Sequence, residues 1–512
     1  MTGQKNRRRN RSRREKQNQL QQMPFGQIPR AIKPFDLISD AQLEAIHQAS
    51  IALLRDTGIE FMNQKALKLF SKAGACVDFD RQLVRMDEDL VLTALASAPQ
   101  SFTLTPRNPQ HKLKIGGDYW CAMSVAGPPQ VHDEIKGRRP GNMEDYRTII
   151  RLAQYFNAIH GYGYHPVSPL DVPANTRHLD CFFVTLSEGD KVQKISAIGR
   201  ERVYDAVDMA AIARGRERED VFSKPEFVST ISVNSPRRVD DAMIEGLFAL
   251  AETGQVASIT PFTLMGAMTP VTLAAALAQQ NAEALAVLTL SQLYRPGCKV
   301  LYGAFTSNVD LRSGAPAFGT PENARATMIA GQLARKYTLP YRSSNACSAN
   351  LADGQAAYES TMSLWAALIS GAHFIHHGAG WLEGGLKASF EKLVMDAELL
   401  QQMARVFEPF QSHAEDFALE TIHAVQPGGH FFGETHTLER YQDAFYTPFV
   451  SDWSNHETWE AQGAQSTRAR LTKLWCQALE DFEAPPMDIA RKEALSAFVV
   501  KRKAFYGTRE PI

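Results

Sequence analysis

The sequence predicts an α/β protein built on a (β/α)8 TIM barrel, with a helical N-terminal layer and a C-terminal extension. Eight short apolar segments recur along the chain, and helix-length segments separate them. Eight strand–helix units over about 290 residues are what such a barrel requires, whereas a doubly wound sheet more often has about five to seven. No G-x-G-x-x-G follows the first segment, and no G-x-x-x-x-G-K-[ST] occurs. The barrel is therefore the favoured architecture.

The eight apolar segments are predicted to be the barrel strands. In chain order they read YWCAMSV, AIHGYG, VQKISAI, FVSTISV, VASITPF, VLYGAF, PYRSSN and HFIHH. Segments such as NMEDYRTIIRLAQYF and VTLAAALAQQNAEALAVLTLSQLY, which lie between them, have the length and composition of helices. We place the barrel at residues 116–410. The loops that follow its strands should then carry the chemistry, as they do in such barrels.

The regions on either side of the barrel have different compositions. Residues 1–30 contain KNRRRNRSRREKQNQLQQ, which is too polar to bury a core, so we expect a disordered basic tail. A solvated leader is favoured there over a tail that binds nucleic acid or an anionic surface. Residues 31–115 predict a helical layer with short strands, in which Ser39 or Asp40 caps the first helix and Gly58 closes it. Residues 411–512 form an extension expected to pack on the barrel.

Composition restricts the class of protein. Hydrophobic residues make up 44% of the chain, charged residues 22%, and the formal net charge is −1. The globular part is therefore not expected to bind nucleic acid. No stretch approaches the roughly 18 uninterrupted apolar residues of a membrane span, and no apolar segment of a secretory signal follows the basic N-terminus. The prediction is a cytoplasmic protein with no membrane partner. Its six cysteines are scattered without a C-x-x-C, which argues against a disulfide framework or a structural zinc site.

The segment AHFIHHGAGWLEGG, residues 372–385, brings three histidines together. On a helix, His373, His376 and His377 would share one face, as metal ligands often do. The apolar residues between them and the glycines that follow instead favour a short buried strand that ends in a loop. Because neighbouring strand residues alternate in direction, only one of His376 and His377 should face the barrel interior, and we favour His377.

Polar and aromatic residues gather at the ends of the other predicted strands. They are Tyr162, His165, Asn234, Phe262, Tyr302, Ser343 and Asn345. Carboxylates are few, although a metal-dependent barrel hydrolase would normally present several His, Asp or Glu ligands, so no metal site is predicted. No G-x-S-x-G sequence indicates a serine nucleophile. A mouth of aromatic rings with few fixed polar groups suits a methylated ammonium ion, which binds by cation–π attraction.

The same residues carry a family resemblance. The chain resembles the trimethylamine:corrinoid methyltransferase (MttB-like) superfamily, in the branch without pyrrolysine that includes glycine betaine:corrinoid methyltransferases. The similarity runs from about Phe35 to Trp459 and is most specific in FGTPENARATMIAGQLARKYTLPYRSS, in the segment from LADGQAAYES to DAELL, and in GGHFFGETHTLERY. It implies a barrel that holds a methylated amine, and a corrinoid (cobalamin) that accepts the methyl group on a separate partner protein.

The resemblance also bears on the cofactor and on assembly. Corrinoid-carrying domains use a D-x-H-x-x-G motif, and the most similar string here, AIHGYG, has Ala158 in place of the Asp. No cofactor is therefore expected to bind tightly to this chain, and the corrinoid should arrive on its cognate protein. A homo-oligomer is expected. Because the sequence contains no pyrrolysine, a quaternary amine such as glycine betaine is the favoured substrate: its nitrogen leaves as a neutral tertiary amine without activation.

Roles follow from this hypothesis. Tyr162, Phe262, Tyr302 and Trp381 are candidates for a cage around a trimethylammonium group, with Glu383 as a nearby anion. The candidates to hold a substrate carboxylate are His165, His376, His377, Asn234 and Asn345. Ser343 is a further substrate-binding candidate, and His377, Asn345 and Glu383 are the catalytic candidates. His436, in the segment GGHFFGETHT, folds back over the mouth or belongs to a purely structural cap.

Three alternative functions stay open at this stage. The first is a methyltransferase for tertiary amines of the trimethylamine type. The second is a metal-dependent TIM-barrel hydrolase, and the third is a methylammonium-binding protein without catalysis.

Overall fold

Eight parallel strands close into a barrel in the computed structural model, which describes residues 20–507. All eight predicted strands are confirmed, in the predicted order around the barrel. We number them β1 Cys121–Ser124, β2 Gly161–Tyr162, β3 Val192–Lys194, β4 Phe227–Ile231, β5 Val256–Ile259, β6 Val300–Gly303, β7 Tyr341–Ser344 and β8 Phe374–Ala379. Strand β8 pairs with β1 and completes the ring.

One long helix follows each strand and packs outside it. The helices are α1 Met143–Tyr155, α2 Arg177–Glu188, α3 Arg200–Arg214, α4 Asp241–Glu252, α5 Leu273–Tyr294, α6 Pro321–Lys336, α7 Gly354–Ile369 and α8 Phe390–Val406. Side chains with oxygen acceptors cap many of their N-termini; Asp240, Thr320 and Ser389 do so for α4, α6 and α8. Each such cap contributes about 1 kcal/mol to helix stability.

The lower half of the barrel interior is apolar. One hydrophobic cluster joins the inward side chains Cys121, Met123, Val192, Val228, Val256, Leu301 and Phe374. A hairpin of strands Phe102–Leu104 and Leu113–Ile115 adds its own apolar residues to the same cluster. The amide of Thr105, just after the first hairpin strand, bonds the carbonyl of Pro225 shortly before β4 (2.8 Å), so the hairpin closes the N-terminal end of the barrel.

The N-terminal layer contains three helices, Asp40–Ala52, Gln64–Lys72 and Glu88–Leu95. Ser39 caps the first helix in a capping box with Gln42, as its sequence predicts. The helix continues as a π-turn over Leu53–Thr57 and ends at Gly58, whose φ is 81° and whose missing Cβ would lie 2.6 Å from a backbone oxygen. Between these helices runs a sheet in the order Arg238–Val239, Ile59–Phe61, Leu83–Arg85, Cys76–Asp78.

Two further sheets lie past the C-terminal ends of the barrel strands. In the first, Phe262–Met265 and Phe305–Val309 extend beyond β5 and β6 and pair with each other, and Phe305–Val309 also pairs with Pro316–Ala317. The second is formed by Gln130–Asp133, Gly137–Pro140, Trp381–Leu382 and Lys387–Ser389, which follow β1 and β8. These sheets hold the loops that surround the mouth.

Residues 20–30 differ from the expected disordered tail. The amide of Met23 bonds the Gln401 side chain (2.9 Å), and the guanidinium of the buried Arg30 bonds the carbonyl of Ala372 (3.2 Å). These two hydrogen bonds hold residues 20–30 against the lower end of the barrel. The rest of the predicted basic tail, residues 1–19, lies outside the described residues.

The C-terminal extension has two parts. Helices Thr467–Glu480 and Ile489–Gly507 pack on the barrel helices: Trp475 bonds Glu391 (2.7 Å) and Tyr506 bonds Asp205 (2.7 Å). Residues 409–447, which we call the arm, contain short helices at Ala414–Phe417, Leu419–Ala424 and Thr435–Arg440. Phe410, Phe432 and Phe445 of the arm are more than 80% exposed. A further short helix, His456–Ala461, follows the arm.

No helix within residues 20–507 combines the length and the apolar character needed to cross a membrane.

Candidate functional site

Polar side chains form a second interior layer, directly above the apolar one. Because strand side chains alternate, residues two positions beyond the apolar layer also face inward. Lys194 on β3 donates to the Thr230 hydroxyl on β4 (2.6 Å) and lies 3.1 Å from Nε2 of His376 on β8. Arg342 on β7 donates to the carbonyl of Ala304 (3.3 Å). We call Lys194, Thr230, Arg342, Ser344 and His376 the upper layer.

Strand β8 bulges where its two histidines lie. His377 has a φ of 55°, and the pairing with β1 shifts register between Ile375 and Ala379. The bulge breaks the alternation that we expected, so His377 stays beside His376 with their rings 3.8 Å apart. His377 Nδ1 lies 3.3 Å from the hydroxyl of Ser344. Both imidazoles therefore lie in one site, although we expected only one of the two to face the barrel interior.

Two side chains hold this irregular backbone in place. Asn345 donates to the carbonyl of Gly378 (3.0 Å), and the amide of Gly380 donates to Asp396 (2.9 Å). Asp396 is itself paired with the buried Lys392 at 2.5 Å. Asn345 thus acts on the loop that leads from His377 to Trp381, and its side-chain oxygen has no hydrogen-bond partner within the described chain.

An aromatic cluster lies beside the two histidines. Phe305 stacks on Phe318 with ring centroids 5.1 Å apart, and Phe262 lies 5.2 Å from Phe305. Trp381 stands edge-on to Phe305 and Phe318, at 6.1 and 6.4 Å, and 3.8 Å from the ring of His377. These four rings, Phe262, Phe305, Phe318 and Trp381, are called the aromatic cluster below. They provide the electron-rich faces that attract an organic cation.

The backbone after Trp381 sets the position of its indole. Gly385 has a φ of 98°, and a Cβ there would lie 2.5 Å from the indole ring. Any larger residue would have to displace the ring. The GG dipeptide after Glu383 is therefore a packing requirement of Trp381 as well as a turn.

The upper layer is electrostatically unusual. Burial lowers the pKa of Arg342 to about 9 and holds the pKa of Lys194 well below its ordinary value, with repulsion from Arg342 as the second cause. Burial, then the neighbouring cations, also keeps the pKa values of His376 and His377 well below the usual range. Near neutral pH both imidazoles are therefore uncharged, and each can donate or accept a hydrogen bond.

Several predicted site residues lie elsewhere. Tyr162 and Tyr302 point outward between strands and helices: the Tyr162 hydroxyl accepts from the amide of Asp190 (3.2 Å), and Tyr302 donates to Asn281 on α5 (2.8 Å). Ser343 also points outward and bonds Tyr341. The structure therefore does not bring Tyr162, Tyr302 and Ser343 to the aromatic cluster, because they occupy the outward positions of their strands.

The remaining predicted residues have separate surroundings. His165 stacks on Tyr164 at 3.8 Å after β2, and burial lowers its pKa to about 3. Asn234 is exposed in a turn, where its backbone pairs with that of Arg238. His436 lies on the arm helix Thr435–Arg440.

Glu383 forms a surface ion-pair group near the mouth. Its carboxylate bonds the guanidinium of Arg138 at 3.1 and 3.2 Å and lies 3.4 Å from the ammonium of Lys387. Two cations therefore neutralise the anion that we had expected to act on a bound cation.

The sequence-based candidates did not include Lys194, Arg342, Phe305 or Phe318. Two of them could have been identified from the sequence. Lys194 and Arg342 are charged residues inside short strands that are predicted to be buried, where a charge is costly unless it serves a ligand or a partner. Phe305 and Phe318 could not, because their approach to Trp381 depends on the sheet past β5 and β6.

Within the described residues, no group of three or more His, Cys, Asp or Glu side chains is arranged to hold a metal ion.

Comparison with known proteins places these observations in a family. The sequence profile described as Trimethylamine methyltransferase (MTTB) matches residues 4–507. A glycine betaine methyltransferase of Desulfitobacterium hafniense (strain Y51) is 34% identical over 469 residues, covering 91% of this chain and 97% of the relative. The trimethylamine methyltransferase MttB1 of Methanosarcina mazei is 28% identical over 482 residues, 92% of this chain and 96% of the relative.

A solved structure supports the same fold. The monomethylamine methyltransferase (MtmB) of Methanosarcina barkeri superposes with a TM-score of 0.50 at 11% identity, over 89% of this chain and 97% of that one. At that identity the likeness concerns the fold alone. The profile match, which spans nearly the whole sequence, shows that this chain belongs to the trimethylamine methyltransferase (MTTB) family of methyltransferases.

Proposed function

We propose that this methyltransferase moves a methyl group from a quaternary amine similar to glycine betaine to the Co(I) of a corrinoid carried by a partner protein. The observation that carries the proposal is the aromatic cluster beside two histidines that burial keeps neutral. A protonated imidazole 3.8 Å from Trp381 would repel an organic cation, whereas a neutral one does not. The name of the Desulfitobacterium relative supports the same substrate type.

The reaction balances without a proton donor. The C–N bond breaks and its electron pair stays on nitrogen, so a quaternary ammonium leaves as a neutral tertiary amine. The carbon bonds to the corrinoid cobalt, which supplies the electron pair. A tertiary amine would leave as an amide anion unless it were first activated. The sequence contains no pyrrolysine, to which that activation is attributed in the archaeal enzymes.

The residues of this chain would then bind and orient the donor. Trp381 would offer its face to the methylated nitrogen, and the other rings of the aromatic cluster would exclude water from it, which aligns a methyl group with the mouth. Asn345 acts through the backbone of Gly378 and holds the loop that carries Trp381. In this proposal His377 is a neutral contact of the substrate and transfers no proton.

The corrinoid would bind on the partner, at the mouth of this barrel. His160, in the string most similar to a corrinoid motif, bonds the amide of Ala122 (3.2 Å) and the carbonyl of Gly26 (3.1 Å) at the lower end of the barrel. Both of its ring nitrogens are thus occupied by backbone groups. This supports a corrinoid held by the cognate protein and none held tightly by this chain.

Methyl transfer can be followed by the absorption spectrum of cobalt. The purified protein is incubated with Co(I) cobalamin and, separately, with glycine betaine, proline betaine, carnitine, trimethylamine or dimethylamine. We expect oxidation of Co(I) to the alkylated form with at least one quaternary amine, and none with the tertiary or secondary amines. Reaction with trimethylamine alone would favour the tertiary-amine alternative. Tight betaine binding without any cobalt methylation would favour a binding protein.

Two further expectations accompany this proposal. A cytoplasmic location is one. The other is a homo-oligomer, supported by the exposed aromatic residues of the arm, because apolar side chains that are more than 80% exposed are common at association surfaces. Light scattering on the eluting protein would give the mass of the assembly, and a mass equal to the 56.9 kDa chain would contradict it.

A further inference from the structure

Two basic side chains lie inside the barrel without an acidic partner among residues 20–507. Lys194 and Arg342 are 5% and 2% exposed. The charged or titratable neighbours that shift their pKa values are Arg342 for Lys194 and Tyr341 for Arg342. Nε of Arg342 and Nδ1 of His376 have no hydrogen-bond partner in the part of the chain that the structure describes.

Such an arrangement is costly for a protein that binds nothing there. A buried charge normally has a counter-ion, and removing the partner of a buried pair is strongly destabilising. Within the described chain, Lys194 and Arg342 contact the hydroxyl of Thr230, the ring of His376 and the ring of Phe305, and no carboxylate acts on the pKa of either. Asp396 is buried too, but Lys392 holds it at 2.5 Å. An anionic ligand would supply the negative charge that these two basic groups lack.

The cation pair adjoins the aromatic cluster. Arg342 Cζ lies 5.4 Å from the centre of the Phe305 ring, and His376 links the ammonium of Lys194 (3.1 Å) to the ring of His377 (3.8 Å). His377 in turn contacts Trp381. A small molecule with a cationic and an anionic end matches this order of groups.

We propose that Lys194 and Arg342 form an anion subsite that binds the carboxylate of the substrate while its quaternary ammonium lies on the aromatic cluster. The inference rests on the function proposed above and narrows its substrate class to zwitterionic betaines. Arg342 supplies fixed donors for a carboxylate, and Lys194 adds a second charge from the opposite strand. Quaternary amines without a carboxylate, such as choline, lack the group that this subsite needs.

Three ligands of nearly equal size test the anion subsite and the aromatic cluster separately. Glycine betaine has both charges, choline has the cation only, and 3,3-dimethylbutanoate replaces the nitrogen by carbon and keeps the carboxylate. Calorimetry on the wild-type protein should give the tightest binding for betaine and measurable binding for 3,3-dimethylbutanoate. Choline should bind at least about 30-fold more weakly than betaine, because a buried charge pair is lost.

A matched pair of variants assigns the effect to one lysine. Lys194→Met keeps the length of the side chain and removes the charge, so betaine affinity should fall at least about 30-fold while choline affinity changes less than about threefold. Lys191→Met removes another buried lysine of the same segment. Lys191 bonds the carbonyls of Ala153, Phe156 and Ile159 at the lower end of the barrel. This control should leave the ratio of betaine to choline affinity unchanged, whatever it does to stability.

Proton uptake on ligand binding distinguishes the two roles of Lys194, because a purely structural lysine would not cause it. A carboxylate bound next to Lys194 raises its pKa, so betaine binding should take up protons and should weaken as the pH rises. Calorimetry in two buffers with different ionisation enthalpies measures that uptake. We expect a positive uptake with betaine and 3,3-dimethylbutanoate, and none with choline.

The outcomes distinguish this inference from the proposed function. Equal binding of choline and betaine, or an unchanged affinity ratio in Lys194→Met, would overturn the anion subsite and leave quaternary amine transfer intact. No binding of any quaternary amine to the wild type would overturn the proposed function itself. If Lys194→Met does not fold, the three-ligand comparison on the wild type still decides.

Discussion

In the barrel interior, the lower and upper layers are separated by only two residues along a strand. On β3, β4 and β8 the inward residues change from Val192, Val228 and Phe374 to Lys194, Thr230 and His376. The lower layer joins the hairpin in one closed apolar cluster, whereas the upper layer holds cations and neutral imidazoles with unused hydrogen-bonding atoms.

The lower layer contributes to stability, and the upper layer is the proposed ligand site. A packed apolar layer gains free energy from burial, and no ligand is needed to complete it. The upper layer differs, because it buries two basic groups at a cost that a bound anion would offset. Substitutions in the lower layer should therefore change stability and leave ligand selectivity alone, and those in the upper layer should change selectivity.

The largest expected effect is on stability and belongs to the lower layer. Phe374→Ala removes a fully buried ring and should lower the free energy of unfolding by about 3–5 kcal/mol. Urea unfolding followed by tryptophan fluorescence measures this loss. The ratio of betaine to choline affinity in the folded variant should match that of the wild type. A changed ratio with little loss of stability would contradict the division into layers.

A pH dependence is expected from the upper layer. Burial lowers the pKa of Lys194, so between that lowered pKa and its ordinary value the unfolded chain holds more protons than the folded protein. Stability should therefore rise with pH in this window, by at most about 1.4 kcal/mol per pH unit for this one group. Urea unfolding of the unliganded protein at pH 7, 8 and 9 measures the slope. The slope should be smaller in Lys194→Met, and identical slopes would show that Lys194 keeps an ordinary pKa.

The aromatic cluster should contribute a smaller and ligand-specific effect. Trp381→Ala removes one ring face, worth about 1 to 2 kcal/mol for a desolvated cation, so betaine affinity should fall roughly 5- to 30-fold. The affinity for 3,3-dimethylbutanoate should fall less, because that ligand carries no cation. Calorimetry on both ligands tests this. Equal losses would mean that Trp381 only packs.

The smallest expected effect is that of Glu383. Because Arg138 and Lys387 already neutralise its carboxylate at the partly exposed mouth, Glu383→Gln should weaken betaine by less than about threefold. Arg138→Gln, which removes the other side of the ion pair, is the control. A large loss of cation affinity in Glu383→Gln alone would place the Glu383 carboxylate next to the substrate.

The barrel was predictable from the sequence for a physical reason. Parallel strands that are covered on both sides leave short, continuous apolar runs, and the eight such runs matched the eight strands. Helix ends were predictable where side chains cap them, as Ser39 does. Both signals are local, so no knowledge of distant contacts was needed.

The site was less predictable, because it depends on the direction of side chains. Tyr162 and Tyr302 are in the right strands but on the outward positions, and a shift of one residue along a strand reverses the face. The bulge at His377 depends on Asn345 and Asp396, which are distant in sequence. The inward Lys194 and Arg342 could have been selected as charged residues within apolar strands.

The hairpin beneath the barrel has a kinetic consequence for the proposed reaction. It closes the lower end, so in the proposed reaction the methyl donor and the corrinoid protein would both approach through the mouth. A docked partner would then block the passage of the small molecule. The amine would have to enter first, and its demethylated product could leave only after the partner departs. Turnover would therefore follow an ordered sequence, in which the dissociation of a protein complex gates the release of product.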